Sequence, residues 1–272
     1  MTSKVFISSA LQKTLSKIAS TTEPSRSQDA EHVISELLKN SRRDFLSVLS
    51  GFEENLELLE TALTHTQEAI AILEEAGGQT IRARNMAETP DYQQKFSDQI
   101  AQCADWYKRS LSKLNDHVMS SGHGKDVNLL NGDALVIRFD PHDDSTLVTQ
   151  GINLTADGLG IREPDFSSAH TIQNSRIDIS NAIDLATTLK NMVSSDIATI
   201  KTRREFCEIA MSFLTQAQES LVSGKTDLFT EDILEHLLSE SDLLNADESL
   251  ALEAQDDLLN VFKIQQDIRT TS

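Results

Sequence analysis

From Phe45 to Leu73 the chain places Phe45, Leu49, Phe52, Leu56, Leu59, Leu63, Thr66, Ile70 and Leu73 at alternating steps of four and three. An α-helix turns once every 3.6 residues, so these steps align the side chains along one side of a helix. All but Thr66 are apolar. A helix with such a seam cannot bury it alone and needs a second helix against it. The second half of the chain supplies one. Ala186, Leu189, Val193, Ile200, Cys207, Ala210, Leu214, Ala217 and Leu221 keep the same register, with Asp196 and Arg203 in the two remaining slots.

Three further segments read as helix. Ser3 to Ser20 aligns Ile7, Leu11, Thr14 and Ile18, and the stretch TTEPSRS ends it at Pro24. Asp29 to Asn40 carries Val33, Ile34, Leu37 and Leu38. Asp91 to Ser120 carries Phe96, Ile100, Cys103, Tyr107, Leu111, Leu114 and Val118 on one face. Gly77-Gly78 is expected to weaken or bend the first seam helix, and ETPDY to break it at Pro90. A last Leu-rich, acidic helical region runs from Thr230 to about Asp267, after a stop at Gly224.

The middle of the chain is different. Ala134–Phe139 and Thr146–Asn153 have strand composition and are separated by DPHDDS, which is turn chemistry, and helix resumes from about Ser175. The expected fold is mainly α: a long antiparallel, coiled-coil-like helical rod with its N- and C-terminal halves paired, and a small β-hairpin insert at mid-chain. Residues 1–44 and 225–272 are expected to form terminal helices, 45–120 and 175–224 the rod, and 121–174 its cap.

Composition narrows what such a molecule does. Aromatics are only 5% of the 272 residues, which suits thin Leu/Ile/Val/Ala seams. The formal charge is −19, so nucleic acid and anionic membrane surfaces are poor partners. That charge is uneven: Lys225–Ser272 holds 12 acids against 3 bases, whereas Met1–Ser20 holds three lysines and no acid. Exposed ion pairs are worth ~0.2–1 kcal/mol each, so charge alone would not pair the two ends. No basic stretch followed by an unbroken apolar run marks a cleaved signal, and no segment approaches membrane-spanning length. Cys103 and Cys207 each fall in a helical apolar row and read as two buried thiols rather than a disulfide.

Chemistry-bearing motifs are weak. GHGKD (Gly122 to Asp126) lacks the first glycine and the following Ser/Thr of a phosphate-binding loop, and it follows a helix instead of a strand. Asp140, His142, Asp143 and Asp144 crowd one turn without calcium-loop spacing. The seven histidines form no two-His zinc pattern on one helix face. Asn153-Leu154-Thr155 forms a glycosylation sequon that reads as a plain strand end. No catalytic, cofactor-binding or metal-ligating residues are expected, and no enzymatic activity.

One phrase is specific. VNLLNGDALVIRF, followed by DDSTLVTQGINLTADGLGI, resembles the mid-chain segment of bacterial flagellins, especially those of alphaproteobacteria. The residues carrying the likeness are Asn128, Leu129, Leu130, Asn131, Gly132 and Asp133, then Gly151, Leu154, Thr155, Ala156, Gly158, Leu159, Gly160 and Ile161. DYQQKFSDQI before it and AIDLATTLKNMVSSDIATIKTRREF after it are similar to the family too, and the likeness extends over roughly Phe45 to Gly224.

The resemblance implies a structural subunit of the flagellar filament. Such a subunit waits in the cytoplasm, is exported through the flagellar type III apparatus with a chaperone and without a cleaved signal, and polymerises outside the cell with itself or other flagellins. Its terminal helices pair in the filament core; here Ile7, Leu11, Ile18, Leu258, Leu259 and Phe262 are the matching apolar positions. The ends also depart from the pattern. The first helix leads into SKIASTTEPSRSQDAEHV, with a proline, and ESLALEAQDDLL near the C-terminus is unusually acidic. Two alternatives therefore stand beside the filament subunit: a hook–filament junction protein, and a non-polymerising flagellin-like protein that sequesters chaperones or subunits.

Overall fold

The computed structural model describes residues 28–122, 127–139 and 145–222. These form a mainly helical protein: α1 (Gln28–Ala87), α2 (Tyr92–Lys95), α3 (Ser97–Ser120), strands β1 (Ala134–Arg138) and β2 (Thr146–Gln150), then α4 (Ala169–Val222). The terminal positions Ile7, Leu11, Ile18, Leu258, Leu259 and Phe262 lie outside the described residues, as do the expected helices Ser3–Ser20 and Thr230–Asp267.

α1 is one helix of 60 residues. It joins the segments expected at Asp29–Asn40 and from Phe45 onward, and it continues through Gly77-Gly78. Gly77 does not break the helix because helical bonding on both sides carries it. A Cβ there would sit 3.3 Å from Ile179 Cγ2 of α4, so the missing side chain lets the two helices approach closely. Helix α1 ends at Ala87, just before Thr89-Pro90, and Asp91 turns the chain with φ 59°. The helix expected over Asp91–Ser120 is interrupted at Phe96, giving the short α2 and the longer α3. α4 begins six residues before the expected Ser175, at Ala169.

The described residues divide into two compact units. One takes Glu54–Ile137 and Val148–Ile197; the other takes the residues up to Glu53, Arg138–Leu147, and those from Ala198 onward.

In the first unit α1, α3 and α4 share a core in which Ala83, Ala87, Ile100, Cys103 and Ile172 meet. Arg84 Nη1 donates to Gln173 Oε1 at 2.9 Å, and Gly77 lies against Ile179. As α1 descends from 84 to 77, α4 rises from 173 to 179, so the two helices run in opposite directions here.

Burial varies along the seam of α1. Phe52, Leu56, Leu59, Thr66 and Leu73 are buried as the spacing predicts, but Leu49, Leu63 and Ile70 are only half-buried. Val48, Ala62 and Ala69 take the inward positions instead, and Ala76, Thr80, Ala83 and Ala87 continue the row. The buried stripe of α1 is broader than a single seam, since Leu58 and Ile72 are buried beside it and Phe52, Leu59 and Leu73 are its deepest large residues. The buried hydroxyls in that row are satisfied within their own helix: Thr66 donates to the Ala62 carbonyl and Thr80 to that of Gly77, both at 2.7 Å.

α4 keeps its heptad. Ile172, Ser175, Ile179, Ala182, Ala186, Leu189, Val193 and Asp196 are buried within the first unit. Ile200, Cys207, Ala210 and Leu214 are buried in the second, while Leu221 lies in the last turn of the helix. In the second unit, the Phe52 and Phe139 rings meet edge-on at 5.8 Å, and Glu53 pairs with Arg204 at 3.5 Å. Among the described residues, no helix is long and apolar enough to cross a membrane.

Candidate functional site: a hydrogen-bonded cap at the hairpin

The phrase NLLNGD begins eight residues after α3 ends, and its first residue closes that helix. Asn128 Nδ2 donates to the Val118 carbonyl at 2.7 Å, and Ser121 Oγ donates to the same carbonyl at 2.8 Å. With the Ser121 amide, which reaches the same carbonyl at 3.4 Å, these bonds cap the C-terminal end of the helix. Asn128 Oδ1 meanwhile accepts from the Leu130 amide at 3.0 Å, an Asx turn that starts the next loop. Asp133 Oδ2 accepts from the Asn128 amide at 2.7 Å and so closes the loop from its other end. Within the loop, Asn131 N and Asp133 N both donate to the Asn128 carbonyl, and Gly132 adopts φ 94°. That conformation suits glycine because it has no Cβ to clash.

The same loop docks on the chain after β2. Gly151 N donates to Asp133 O, Ile152 N to Leu129 O and Leu154 N to Leu130 O, at 2.9, 2.9 and 2.7 Å, and Asn131 bridges Asn153 in antiparallel fashion. Gly151 is buried where these backbones touch. A Cβ there would fall 2.3 Å from Asp133 O and 2.4 Å from Leu129 O. Leu129, Leu130, Leu154, Leu159 and Ile161 are buried beneath.

The closing phrase is a tight turn. Asn153 Oδ1 accepts from Thr155 N and Oγ1, and Thr155 Oγ1 accepts from Gly158 N. The sequon asparagine thus serves as a turn former. Leu159, Gly160 and Ile161 donate back to Thr155, Asp157 and Ala156, with Gly160 at φ 67°. A Cβ at Gly158 would lie 2.3 Å from Asn153 Cγ, so this glycine too is required by close approach.

Side chains then fasten the element to the helices around it. Asn115 of α3 accepts from Ala156 N at 2.8 Å, and Arg162 grips Asp178 of α4 at 2.9 and 3.0 Å. Thr149 of β2 donates to Asp196 of α4 at 2.6 Å, with the two residues only 1% and 5% exposed. Burial holds the Asp196 carboxyl above the usual carboxylate range, and the Thr149 hydroxyl opposes this less strongly. Arg203 lies over the Phe139 ring, 5.4 Å from its centroid. Asp196 and Arg203, the two slots that broke the apolar pattern of α4, are therefore the positions met by the hairpin.

Every matching residue from Asn128 to Ile161 belongs to this one element. Many of its polar atoms are occupied in closing turns and a helix end, and its side chains fasten it to α3 and α4. Two side chains that sequence spacing left apart also meet in the same unit: His65 of α1 and His117 of α3, with ring centroids 5.1 Å apart. They are 52 residues apart on different helices, so no local pattern announces the pair. Asp140, His142, Asp143 and Asp144, and His123 to Asp126 of GHGKD, lie outside the described residues.

Both thiols are buried and free, and burial raises the pKa of each, that of Cys207 to about 12. No protein-family model matches the chain, and no curated protein matches it.

Proposed function

We propose that this chain is a flagellin-type structural subunit of a bacterial flagellar filament, self-assembling through paired terminal helices. The observation that carries the reading is the phrase from Val127 to Ile161, whose matching residues form one interlocked element between two seam-bearing helices. The antiparallel run of α1 beside α4 in one unit supports the idea that the two halves of the chain pair along their length. In this reading the subunit is exported without a cleaved signal, with a chaperone, and the segments before α1 and after α4 join those of neighbouring copies.

A second reading has a specific observation in its favour. The three lysines of Met1–Ser20 and the 12 acids of Lys225–Ser272 are complementary within one molecule. Ends that pair internally would give a non-polymerising protein that binds chaperones or other subunits. Immunogold labelling and mass spectrometry of filaments sheared from the producing cell separate these cases. Label along the filament is the expected result. Label only at the filament base indicates a junction protein, and chain found only in the cytoplasm overturns the filament reading.

A further inference from the structure

We propose that His65, Glu68 and His117 bind one divalent metal ion of the zinc class, joining α1 to α3. One donor atom from each of the three residues lies within 4.8 Å of the other two. Glu68 Oε2 stands 3.5 Å from His65 Nδ1 and 3.6 Å from His117 Nε2. Zinc bonds of ~2.0–2.2 Å in tetrahedral array put neighbouring ligand atoms roughly 3.4 Å apart. Two edges of the coordination figure are therefore already close to length, and the third, at most 4.8 Å, closes by a small side-chain movement.

Placement favours that movement. His65 and Glu68 are three residues apart on α1 and so share a face, while His117 comes from α3 opposite them. The Glu68 side chain is 57% exposed and swings on a flexible stem, and the two histidines are 25% and 15% exposed. His65 Nδ1 itself is buried, so an ion enters from the Glu68 side, where a water completes a four-ligand shell. His117 Nε2 also lies 2.9 Å from the His65 carbonyl, a contact that orients the ring. Ligation moves the imidazole proton to Nδ1 and replaces this hydrogen bond by the metal bond, so no proton is released from a neutral ring.

Donor chemistry sets the class of ion. Two imidazoles and one carboxylate suit zinc, cobalt, nickel or copper, whereas calcium and magnesium require shells of oxygen. The consequence is a cross-link between helices that the core otherwise joins through Ala83, Ala87, Ile100 and Cys103. It does not depend on the filament reading.

The test is titration of the full chain, stripped with a chelator, with zinc and with cobalt. Calorimetry and the visible absorption of bound cobalt are the readouts, and calcium and magnesium serve as controls. The five other histidines make comparison with variants essential: His117→Ala, His65→Ala and Glu68→Gln, each checked by circular dichroism. Glu68→Gln keeps an exposed side chain of equal size and so guards against misfolding as the explanation. The expected result is one zinc site per chain, weakened at least about tenfold by each substitution, since even outer-shell changes cost that much. Zinc should also raise the thermal midpoint of the parent chain but not of the variants. Failure of the parent to bind zinc or cobalt, or binding unchanged in the variants, overturns the proposal.

Discussion

Gly151 shows how little tolerance the cap has at single positions. Its missing Cβ is replaced by the carbonyls of Leu129 and Asp133. Gly151→Ala is expected to cost about 1–3 kcal/mol or more, read as a lower denaturation midpoint, because backbone rather than a flexible side chain must move. A midpoint unchanged within error would mean that the loop relaxes freely. Tyr107 gives the opposite sign. Its ring packs on Phe166 at 5.5 Å, but its hydroxyl is buried without a hydrogen-bonding partner among the described residues. Tyr107→Phe removes a group left undersatisfied at about 1–3 kcal/mol, so thermal unfolding should shift upward.

Asp196 links a residue to pH. Folding raises its pKa, so its contribution is fully present below the unfolded carboxylate value of about 3.9 and is lost as pH rises through the raised one. Asp196→Asn keeps an acceptor for Thr149 and removes the ionisation. The variant should exceed the parent in stability at pH 7 in denaturant titrations, with the advantage shrinking as pH falls towards 4. An advantage that persists at pH 4 would contradict this assignment.

At the scale of elements, the helices were legible because apolar spacing follows the helical period, and the hairpin because turn residues flank alternating strands. The seam register was less so. Leu49, Leu63 and Ile70 look like core residues in a sequence, yet Val48, Ala62 and Ala69 are the more deeply buried. Ala69→Leu is therefore expected to destabilise by about 1–3 kcal/mol through overpacking, and more than Ile70→Ala does. The reverse order in chemical denaturation would restore the two-stranded seam. The role of Asp196 and Arg203 was hidden for a related reason. Each breaks the pattern of its own helix to meet a hairpin residue about fifty to sixty positions away, and periodicity carries no record of that partner. His65 and His117 were hidden in the same way.

At the scale of the whole molecule, the proposed filament subunit would assemble through the segments before α1 and after α4, with the cap holding the mid-chain element. Such a subunit must polymerise. Purified chain added to short flagellar seeds, followed by electron microscopy with a label on this chain, tests it most directly. Ordered filaments growing from the seeds and carrying the label along the grown length are the predicted result. Chain that stays monomeric at every concentration and salt tried, with seeds unchanged in length, would contradict it.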